Sequence, residues 1–379
     1  MNHKPKLLIA VDTYYPKIDG TLKFVEEFVK RVKNDFDYKL LVPNYQNKKD
    51  NSKITYLKIS RFIKSSGYTS VKVFSFSNLR KIKNSVKEAE LVFVQGPAVL
   101  STLTIFWSRW FKKKCVYYLH VNLWEFFKSF LVTPITKVMY KIAKPLLKIS
   151  LNLCSLVLIP YQELKSEIKH RGIRTKIQVA RLGVDIDKFS PVKDKAQAKK
   201  KIGLAGKTVI GYVGRVSNEK NVNILLEAFK KLENQSEMAL LMVGDGPENQ
   251  VKIFKDTTNC KVTGFVNNVQ DYLKATDIFV MPSLTETTSL ATLEAMSCGL
   301  PVIVTKVGFM KNYIVKDHNG IFFPKNSSTM LAAKLEKFIR EEELRETLGR
   351  NARKTIAYSF SWERSINKIK RILMEVYYK

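Results

Sequence analysis

Cysteine and histidine are scarce in this chain, and their spacing excludes several kinds of site. The 379 residues include only 4 cysteines and 4 histidines. The cysteines form no Cys-x-x-Cys pair and have no histidine at ligand spacing; they are Cys115, Cys154, Cys260 and Cys298. We therefore expect reduced thiols of the kind found in cytoplasmic proteins, and no zinc site.

Long apolar segments are also missing. The most apolar window, Pro145 to Pro160, is interrupted by Lys148 and is too short to span a bilayer. Met1 leads within a few residues into the strand-like segment Lys6 to Val11, without the apolar region and cleavage site of a signal peptide. These absences predict a cytoplasmic protein whose contact with a membrane would be peripheral.

Acidic residues are few in the first half of the chain. The net charge is +31, and residues 1–200 hold 39 Lys+Arg against 15 Asp+Glu, whereas residues 201–379 hold 26 against 19. A surface this basic favours an anionic partner. A lipid surface, a nucleic acid and a phosphorylated substrate all satisfy that description.

Short Val- and Ile-rich runs alternate with helical patterns throughout, which is typical of βα units and parallel sheets. The length predicts two domains and a cleft between them. The lysine-rich segment Pro191 to Lys201 marks a linker, so we predict domains at residues 1–192 and 193–358. Residues 359–379 are predicted to form an amphipathic helix that returns to the N-terminal domain. The strand candidates are Leu7 to Val11, Tyr38 to Val42, Ile54 to Ile59, Leu91 to Val94, Val116 to His120, Leu156 to Ile159, Val209 to Val213, Ala239 to Val243, Cys260 to Val262, Ile278 to Met281 and Val302 to Val304.

Two carboxylates, Glu286 and Glu294, flank the predicted start of a helix that follows an apolar strand. The backbone N–H groups of Thr288, Ser289 and Leu290 would be free there to bind an anion. A carboxylate can accept two hydrogen bonds from a vicinal diol. Together these features predict a site for a sugar, a diphosphate and a ribose. Taken alone, Glu286 is better explained as a capping acid and Glu294 as a solvated helix residue.

Two cations, Arg215 and Lys220, follow the predicted strand Val209 to Val213, at the edge where α/β sheets bind ligands. They could stabilise a departing diphosphate, although alone they could be surface charges. In the first half, Gly20 ends a turn before a predicted helix and could let the backbone approach a ligand. His120 ends a predicted strand and could bind a sugar hydroxyl, or be a half-buried histidine.

Taken together, these segments resemble family 4 of the retaining glycosyltransferases, which have the GT-B fold of two facing Rossmann-like domains with a cleft between them. The resemblance covers nearly the whole chain. It rests on DTYYPKIDG, His120, LGVDIDKFSP, GYVGRVSNEK, VGDGPE, VTGFV and MPSLTETTSLATLEAMSCGLPVIVT. It implies a retaining, metal-independent hexosyltransferase that uses a nucleotide sugar, expected to be a UDP-sugar, and no cofactor.

The resemblance also implies roles for single residues. Arg215 and Lys220 would hold the donor diphosphate, Glu286 the transferred sugar, and Glu294 the ribose, while His120 would contact the donor sugar. The further donor-binding residues that it implies are Gly20, Thr288, Ser289, Leu290, Phe265 and Val266.

The chain departs from the family at Ser289, where a glycine is usual, and at Gly308-Phe309, where two glycines are usual. These departures leave the identity of the donor sugar open.

The acceptor is predicted from a likeness of DTYYPKIDG to the diacylglycerol-type lipid glycosyltransferases and from the basic charge. Residues 51–160 carry 18 Lys+Arg and 3 Asp+Glu. Aromatic residues interleaved with this charge include Phe106, Trp107, Trp110, Phe111, Trp124, Phe126 and Phe127. Aromatic anchors beside lysines favour an anionic membrane surface, so we expect a lipid or lipid-linked acceptor.

Three alternatives remain at this point. The aromatic residues could belong to the core, with the lysines simply solvated. The acceptor could be a polysaccharide, a protein glycan or a soluble sugar. A non-catalytic nucleic-acid-binding protein is the remotest alternative, because no helix-turn-helix, zinc or ribonucleoprotein motif is present; we expect no nucleic-acid partner.

Overall fold

The structure, a computed structural model, describes residues 3–17, 19–65, 68–120 and 134–379. The strands are β1 (Lys6–Val11), β2 (Asp37–Pro43), β3 (Ile54–Leu57), β4 (Ile59–Ser65), β5 (Tyr68–Val71), β6 (Leu91–Gln95), β7 (Lys114–Tyr118), β8 (Leu156–Ile159), β9 (Ile177–Val179), β10 (Thr208–Val213), β11 (Met238–Val243), β12 (Cys260–Val262), β13 (Ile278–Met281), β14 (Val302–Thr305) and β15 (Ile321–Phe323).

The helices are α1 (Gly20–Val32), α2 (Phe76–Glu88), α3 (Val99–Trp110), α4 (Pro134–Leu153), α5 (Glu163–His170), α6 (Lys195–Lys201), α7 (Val222–Lys230), α8 (Glu248–Lys255), α9 (Val269–Lys274), α10 (Leu290–Ser297), α11 (Met310–Tyr313), α12 (Ser328–Arg340), α13 (Glu342–Ser359) and α14 (Trp362–Tyr378). Short 3-10 turns lie at Asn218–Lys220 and Gln235–Glu237. No helix within the described ranges is long and apolar enough to cross a bilayer.

The chain divides into two compact units. The N-terminal unit comprises Met1–Arg181 and Ser365–Lys379, and the C-terminal unit comprises Leu182–Arg364. The sequence prediction placed these divisions after residues 192 and 358. Within the N-terminal unit, Lys370 of α14 lies 3.1 Å from the Asp35 carboxylate.

The N-terminal unit is built on a seven-stranded parallel sheet in the order β3-β2-β1-β6-β7-β8-β9. The central strands are buried on both faces because helices cover both sides of the sheet, which explains their almost wholly apolar sequences. Phe24 and Phe28 of α1 pack on Phe93 of β6, with ring centroids 6.3 and 5.3 Å away respectively. The carboxyl ends of β1, β6 and β7 therefore meet at one edge over a rigid core.

The C-terminal unit contains a six-stranded parallel sheet in the order β12-β11-β10-β13-β14-β15. β10 and β13 are neighbours, with Ile210 opposite Ile278 and Gly211 opposite Phe279. Both units are thus α/β domains of the Rossmann-like kind, as the alternation of strands and helices predicted. The loops that follow β10 and β13 emerge side by side.

Several predicted elements differ from the structure. The single strand predicted from Ile54 to Ile59 is two strands: β3 joins the large sheet, and β4 pairs with β5 as an antiparallel hairpin. β7 ends at Tyr118, so His120 lies two residues beyond the strand rather than at its end. The apolar run continues through Leu119, which hides the strand's end from a pattern-based prediction.

Candidate functional site

The loops after β10 and β13 are joined directly. The backbone N–H of Leu284, in the loop after β13, donates to the carbonyl of Glu219 at 2.9 Å. Glu219 belongs to the 3-10 turn Asn218–Lys220, which follows β10. Two segments that are far apart in sequence therefore form one surface at the carboxyl edge of the sheet.

The centre of this surface is an ion pair between Lys220 and Glu286. Lys220 Nζ lies 2.5 Å from Glu286 Oε1, and the two side chains are only 19% and 10% exposed. Ser283 Oγ donates to the same carboxylate oxygen at 3.1 Å. The strong shielding from solvent makes this pair far more effective than a surface salt bridge. Sequence reasoning missed Ser283 as a partner, although its spacing of three residues before Glu286 was a signal.

Arg215 is positioned by its backbone. The buried Tyr212 hydroxyl donates to the Arg215 carbonyl at 2.7 Å, and the guanidinium is more exposed than Lys220, with Nη2 2.8 Å from Glu219 Oε1. Burial, followed by the charge of Glu286, raises the pKa of Tyr212 well above its usual value, so its hydroxyl stays protonated. Of the two cations, Arg215 is therefore the more accessible to an anion from solvent.

The start of α10 is sharply bent. Ser289 has a left-handed backbone with φ of +57° and immediately precedes the helix. Such a conformation is strained for residues other than glycine, which accounts for the glycine usual in the family. Ser289 Oγ and Thr292 Oγ1 are 2.8 Å apart, which helps to hold the bend. Thr288 Oγ1 is buried and has no hydrogen-bond partner among the described residues.

Gly308 packs closely against the backbone of the loop that carries Glu286. It has φ of +52°, and a Cβ atom at this position would lie 2.0 Å from the Glu286 carbonyl oxygen. Phe309 N donates to the Thr287 carbonyl at 2.7 Å, and Tyr313 hydroxyl donates to the Thr288 carbonyl at 2.9 Å. Two glycines are usual in the family at Gly308-Phe309. The chain therefore retains the glycine at Gly308, where a side chain would clash with the Glu286 carbonyl.

Three further predicted donor-binding residues belong to the same unit. Glu294 is buried inside α10, about one turn after Leu290, which is the first residue of the helix. Phe265 is 55% exposed, and it follows the edge strand β12 together with the half-buried Val266. An exposed aromatic ring beside a ligand edge suits a base, but no described contact joins these two residues to Lys220 or Glu286.

His120 and Gly20 belong to the N-terminal unit. The His120 ring is buried against Tyr118 and Phe24, with ring centroids 4.4 and 5.0 Å away. Burial lowers the pKa of His120 to about 3, so the imidazole is neutral. Its Nε2 lies 2.6 Å from Gln95 Oε1. Gly20 is the first residue of α1, and the Asp19 carboxylate before it accepts a hydrogen bond from Leu22 N at 2.9 Å.

No cluster of three or more His, Cys, Asp or Glu side chains suited to a metal ion occurs in the part of the chain that the structure describes. In the C-terminal unit the structure brings Lys220, Glu286 and the start of α10 together, with Arg215 at the rim. This arrangement offers two cations, two carboxylates and free helix N–H groups, which is a set suited to a diphosphate that carries hydroxylated groups on both sides.

Comparison with known proteins agrees with this geometry. Residues 194–355 match the family described as glycosyl transferases group 1. The UDP-Gal:alpha-D-GlcNAc-diphosphoundecaprenol alpha-1,3-galactosyltransferase of Escherichia coli is 32% identical over 53% of this chain and 54% of that protein. An uncharacterized glycosyltransferase of Methanocaldococcus jannaschii is 24% identical over 97% of this chain and 98% of that protein. The first four curated relatives are matched over about half of their length, 47% to 54%.

Solved structures share the fold of the whole chain. The complex of Anabaena Alr3699/HepE with UDP-glucose matches with a TM-score of 0.78 at 19% identity, covering 98% of this chain and all of the other. Sucrose-phosphate synthase from Thermosynechococcus elongatus matches with a TM-score of 0.79 at 17% identity, covering 99% of each chain. At such identities the likeness establishes the fold, and it confirms the predicted α/β architecture with two Rossmann-like domains.

Proposed function

We propose that the chain is a retaining, metal-independent hexosyltransferase, and the match of residues 194–355 to the family described as glycosyl transferases group 1 supports this proposal. The donor is a nucleotide sugar, with UDP-glucose as the first candidate, and the acceptor is a lipid or lipid-linked hydroxyl at a membrane surface. The shielded Lys220–Glu286 pair beside the start of α10 is the observation that carries the proposal.

The proposed chemistry follows from the placement of charge. Lys220, Arg215 and the N–H groups at the start of α10 bind the diphosphate, whose negative charge grows as the bond to the sugar breaks. Glu286 and Glu294 bind hydroxyls of the sugar and the ribose. The acceptor oxygen bonds to the anomeric carbon on the face that the diphosphate leaves, and the departing phosphate takes the acceptor proton.

The donor site is tested by thermal unfolding with UDP and UDP-glucose, because a ligand that binds the native state raises its stability. We expect Lys220→Ala and Glu294→Gln to weaken donor binding or turnover at least about tenfold, the loss expected for a hydrogen bond to a charged group. Lys231→Ala is the matched control, because Lys231 lies in the same unit and its ammonium group donates to the Ser328 and Thr329 hydroxyls instead of to a site residue. Full activity in both site variants refutes the assignment.

Retention and metal independence need separate measurements. NMR of the product from an α-linked donor should show an α linkage, and activity should survive EDTA. A β-linked product or a loss of activity that Mg²⁺ restores would contradict the mechanism.

An exposed apolar face of the N-terminal unit supports the membrane acceptor. Phe106 and Trp110 of α3 are 51% and 68% exposed, and Leu146 and Ile149 of the neighbouring α4 are 50% and 55% exposed. Lys83 Nζ lies 5.4 Å from the centre of the Trp107 ring. Apolar side chains in the headgroup layer and lysines over anionic lipid are the features of a peripheral membrane protein. Trp124, Phe126 and Phe127, which the prediction also included, lie outside the described residues.

Vesicle sedimentation tests this part of the proposal, which places the protein in the cytoplasm on the inner face of the cell membrane. Wild-type protein should sediment with phosphatidylglycerol vesicles at low salt, and the Phe106→Ala/Trp110→Ala double variant should bind at least about tenfold more weakly, given the apolar area removed. Tyr358→Ala removes an equally exposed ring from the C-terminal unit and is the control. Failure of the wild type to bind vesicles would favour a soluble acceptor.

A further inference from the structure

The N-terminal sheet has its topological switch point between β1 and β6. The chain runs from β1 to β2 and β3 on one side, then returns to place β6 on the other side of β1. Open α/β sheets bind ligands at the carboxyl ends of the strands at such a point. Here Asp12 directly follows β1, Gln95 ends β6, and Asp12 N donates to the Gln95 carbonyl at 3.3 Å.

Asp12 is held in place by one of its two carboxylate oxygens. Oδ2 accepts hydrogen bonds from Ala98 N at 2.8 Å and from Ser101 Oγ at 2.7 Å, at the start of α3. Gly96 has φ of +108°, and a Cβ atom there would lie 2.7 Å from Asp12 Oδ2, so the backbone is shaped around this carboxylate. Oδ1 has less than 1 Å² of accessible surface and no hydrogen-bond partner among the described residues.

Gln95 presents the complementary group. The side chain is fully buried, and its Oε1 accepts a hydrogen bond from the neutral His120. Its Nε2 has no hydrogen-bond partner within the described part of the chain. Buried polar atoms are nearly always bonded, so a free acceptor and a free donor on adjacent strand ends call for a ligand that satisfies both.

The chemistry of these two atoms selects the ligand. A carboxylate or a fully ionised phosphate has no proton to donate to Asp12, and its negative charge is repelled by the Asp12 carboxylate. An ammonium group could donate to Asp12 but could not accept from Gln95. Hydroxyl groups both donate and accept, so an uncharged polyol satisfies both positions.

We propose that Asp12 and Gln95 bind the acceptor through an uncharged, hydroxyl-bearing group, with Asp12 Oδ1 accepting a hydrogen bond from one of its hydroxyls. The inference rests on the proposed glycosyltransferase function and adds a choice of acceptor: a neutral glycerol or sugar end, not a phosphate. In this role Asp12 only accepts a hydrogen bond, so it is chemically unchanged by transfer.

The test uses the full chain with UDP-glucose and three acceptor probes in phosphatidylcholine vesicles: dioleoylglycerol, a monoglucosyl diacylglycerol and undecaprenyl phosphate. We expect transfer to at least one of the two neutral probes in preference to undecaprenyl phosphate. Asp12→Asn should lower kcat/KM for that probe about tenfold to hundredfold, as loss of a hydrogen bond to a charged group predicts, while the affinity for UDP stays within about twofold. Gln95→Leu should also lower kcat/KM for that probe.

Ser108→Ala is the control, because Ser108 is a buried serine of α3 whose hydroxyl donates to the Thr104 carbonyl of the same helix. Its kcat/KM should match that of the wild type. A preference for undecaprenyl phosphate, transfer to none of the probes, or an Asp12→Asn variant with unchanged acceptor kinetics each overturns the inference. A wild type that UDP does not stabilise refutes the proposed function instead.

Discussion

Replacing Asp12 with asparagine should stabilise the protein at neutral pH while it impairs transfer. Burial raises the pKa of Asp12 from 3.8 to about 6, against the opposing hydrogen bonds from Ser101 and Ala98. A folded-state pKa above the unfolded value means that the native protein holds this proton more tightly. The contribution of Asp12 to the free energy of unfolding is therefore most favourable at about pH 4, and it is lost as the pH rises through about 6.

The size of this change in stability follows from the pKa shift of Asp12. A difference of about two pKa units corresponds to about 3 kcal/mol between the two protonation states. Asparagine never ionises and avoids that cost, but its amide N–H group would occupy the place of the unpartnered Oδ1, which costs about 1 kcal/mol. We expect Asp12→Asn to be about 2 kcal/mol more stable than the wild type at pH 7.5, and slightly less stable at pH 4.

The assay is thermal or urea unfolding of both proteins at several pH values between 4 and 8, with no ligand present. For a unit of this size, about 2 kcal/mol corresponds to about 4 to 8 °C in Tm. The charged and titratable groups that interact with Asp12 are Asp19, Tyr45 and Tyr117, and both tyrosine pKa values are raised, so neither ring titrates in this range. A variant that is less stable than the wild type at every pH, by a constant amount, would show that Asp12 is only a cap for α3.

Further predictions follow from single contacts. Gly308→Ala should abolish protection by UDP-glucose, because the new Cβ would collide with the Glu286 carbonyl, whereas Gly206→Ala, also at positive φ but with open space around it, should leave it intact; thermal unfolding compares the two. The NMR signals of the neutral His120 ring should stay constant between pH 5 and 8, and a midpoint near 6.5 would contradict its burial. Arg353→Leu should cost about 3 kcal/mol in urea unfolding, because three carbonyls would lose the guanidinium that joins them.

Much of the fold could be predicted because buried parallel strands have a simple pattern. The predicted strands Leu156 to Ile159 and Ile278 to Met281 match β8 and β13 residue for residue. The β4–β5 hairpin was missed because Ile59 continues the apolar run of β3, and the reversal has no strong turn signal. β15 was missed because a strand of three residues is too short to show a period.

The candidate site was predictable where the residue types carry charge in a compact segment. Glu286 and Lys220 are widely separated in sequence, and only the neighbouring positions of β10 and β13 explain why they meet. Asp12 and Gln95 were not singled out, because one polar residue at a strand end has many ordinary explanations. The available signal was the glutamine at the end of β6: the strand LVFVQ is otherwise apolar, and Gln95 stands directly before Gly96.

The two sites differ in how they balance charge before substrate binds, and this difference bears on their roles. Lys220 and Glu286 neutralise each other, so the proposed donor site would exchange an internal ion pair for a bound diphosphate. Among the described residues, the hydrogen-bond donors to Asp12 belong to Ala98 and Ser101, neither of which is a cation, and the effect of burial on its pKa outweighs theirs. A carboxylate kept at such a cost is explained if a substrate hydroxyl supplies the missing donor, because that hydrogen bond then forms where the protein has already removed the water.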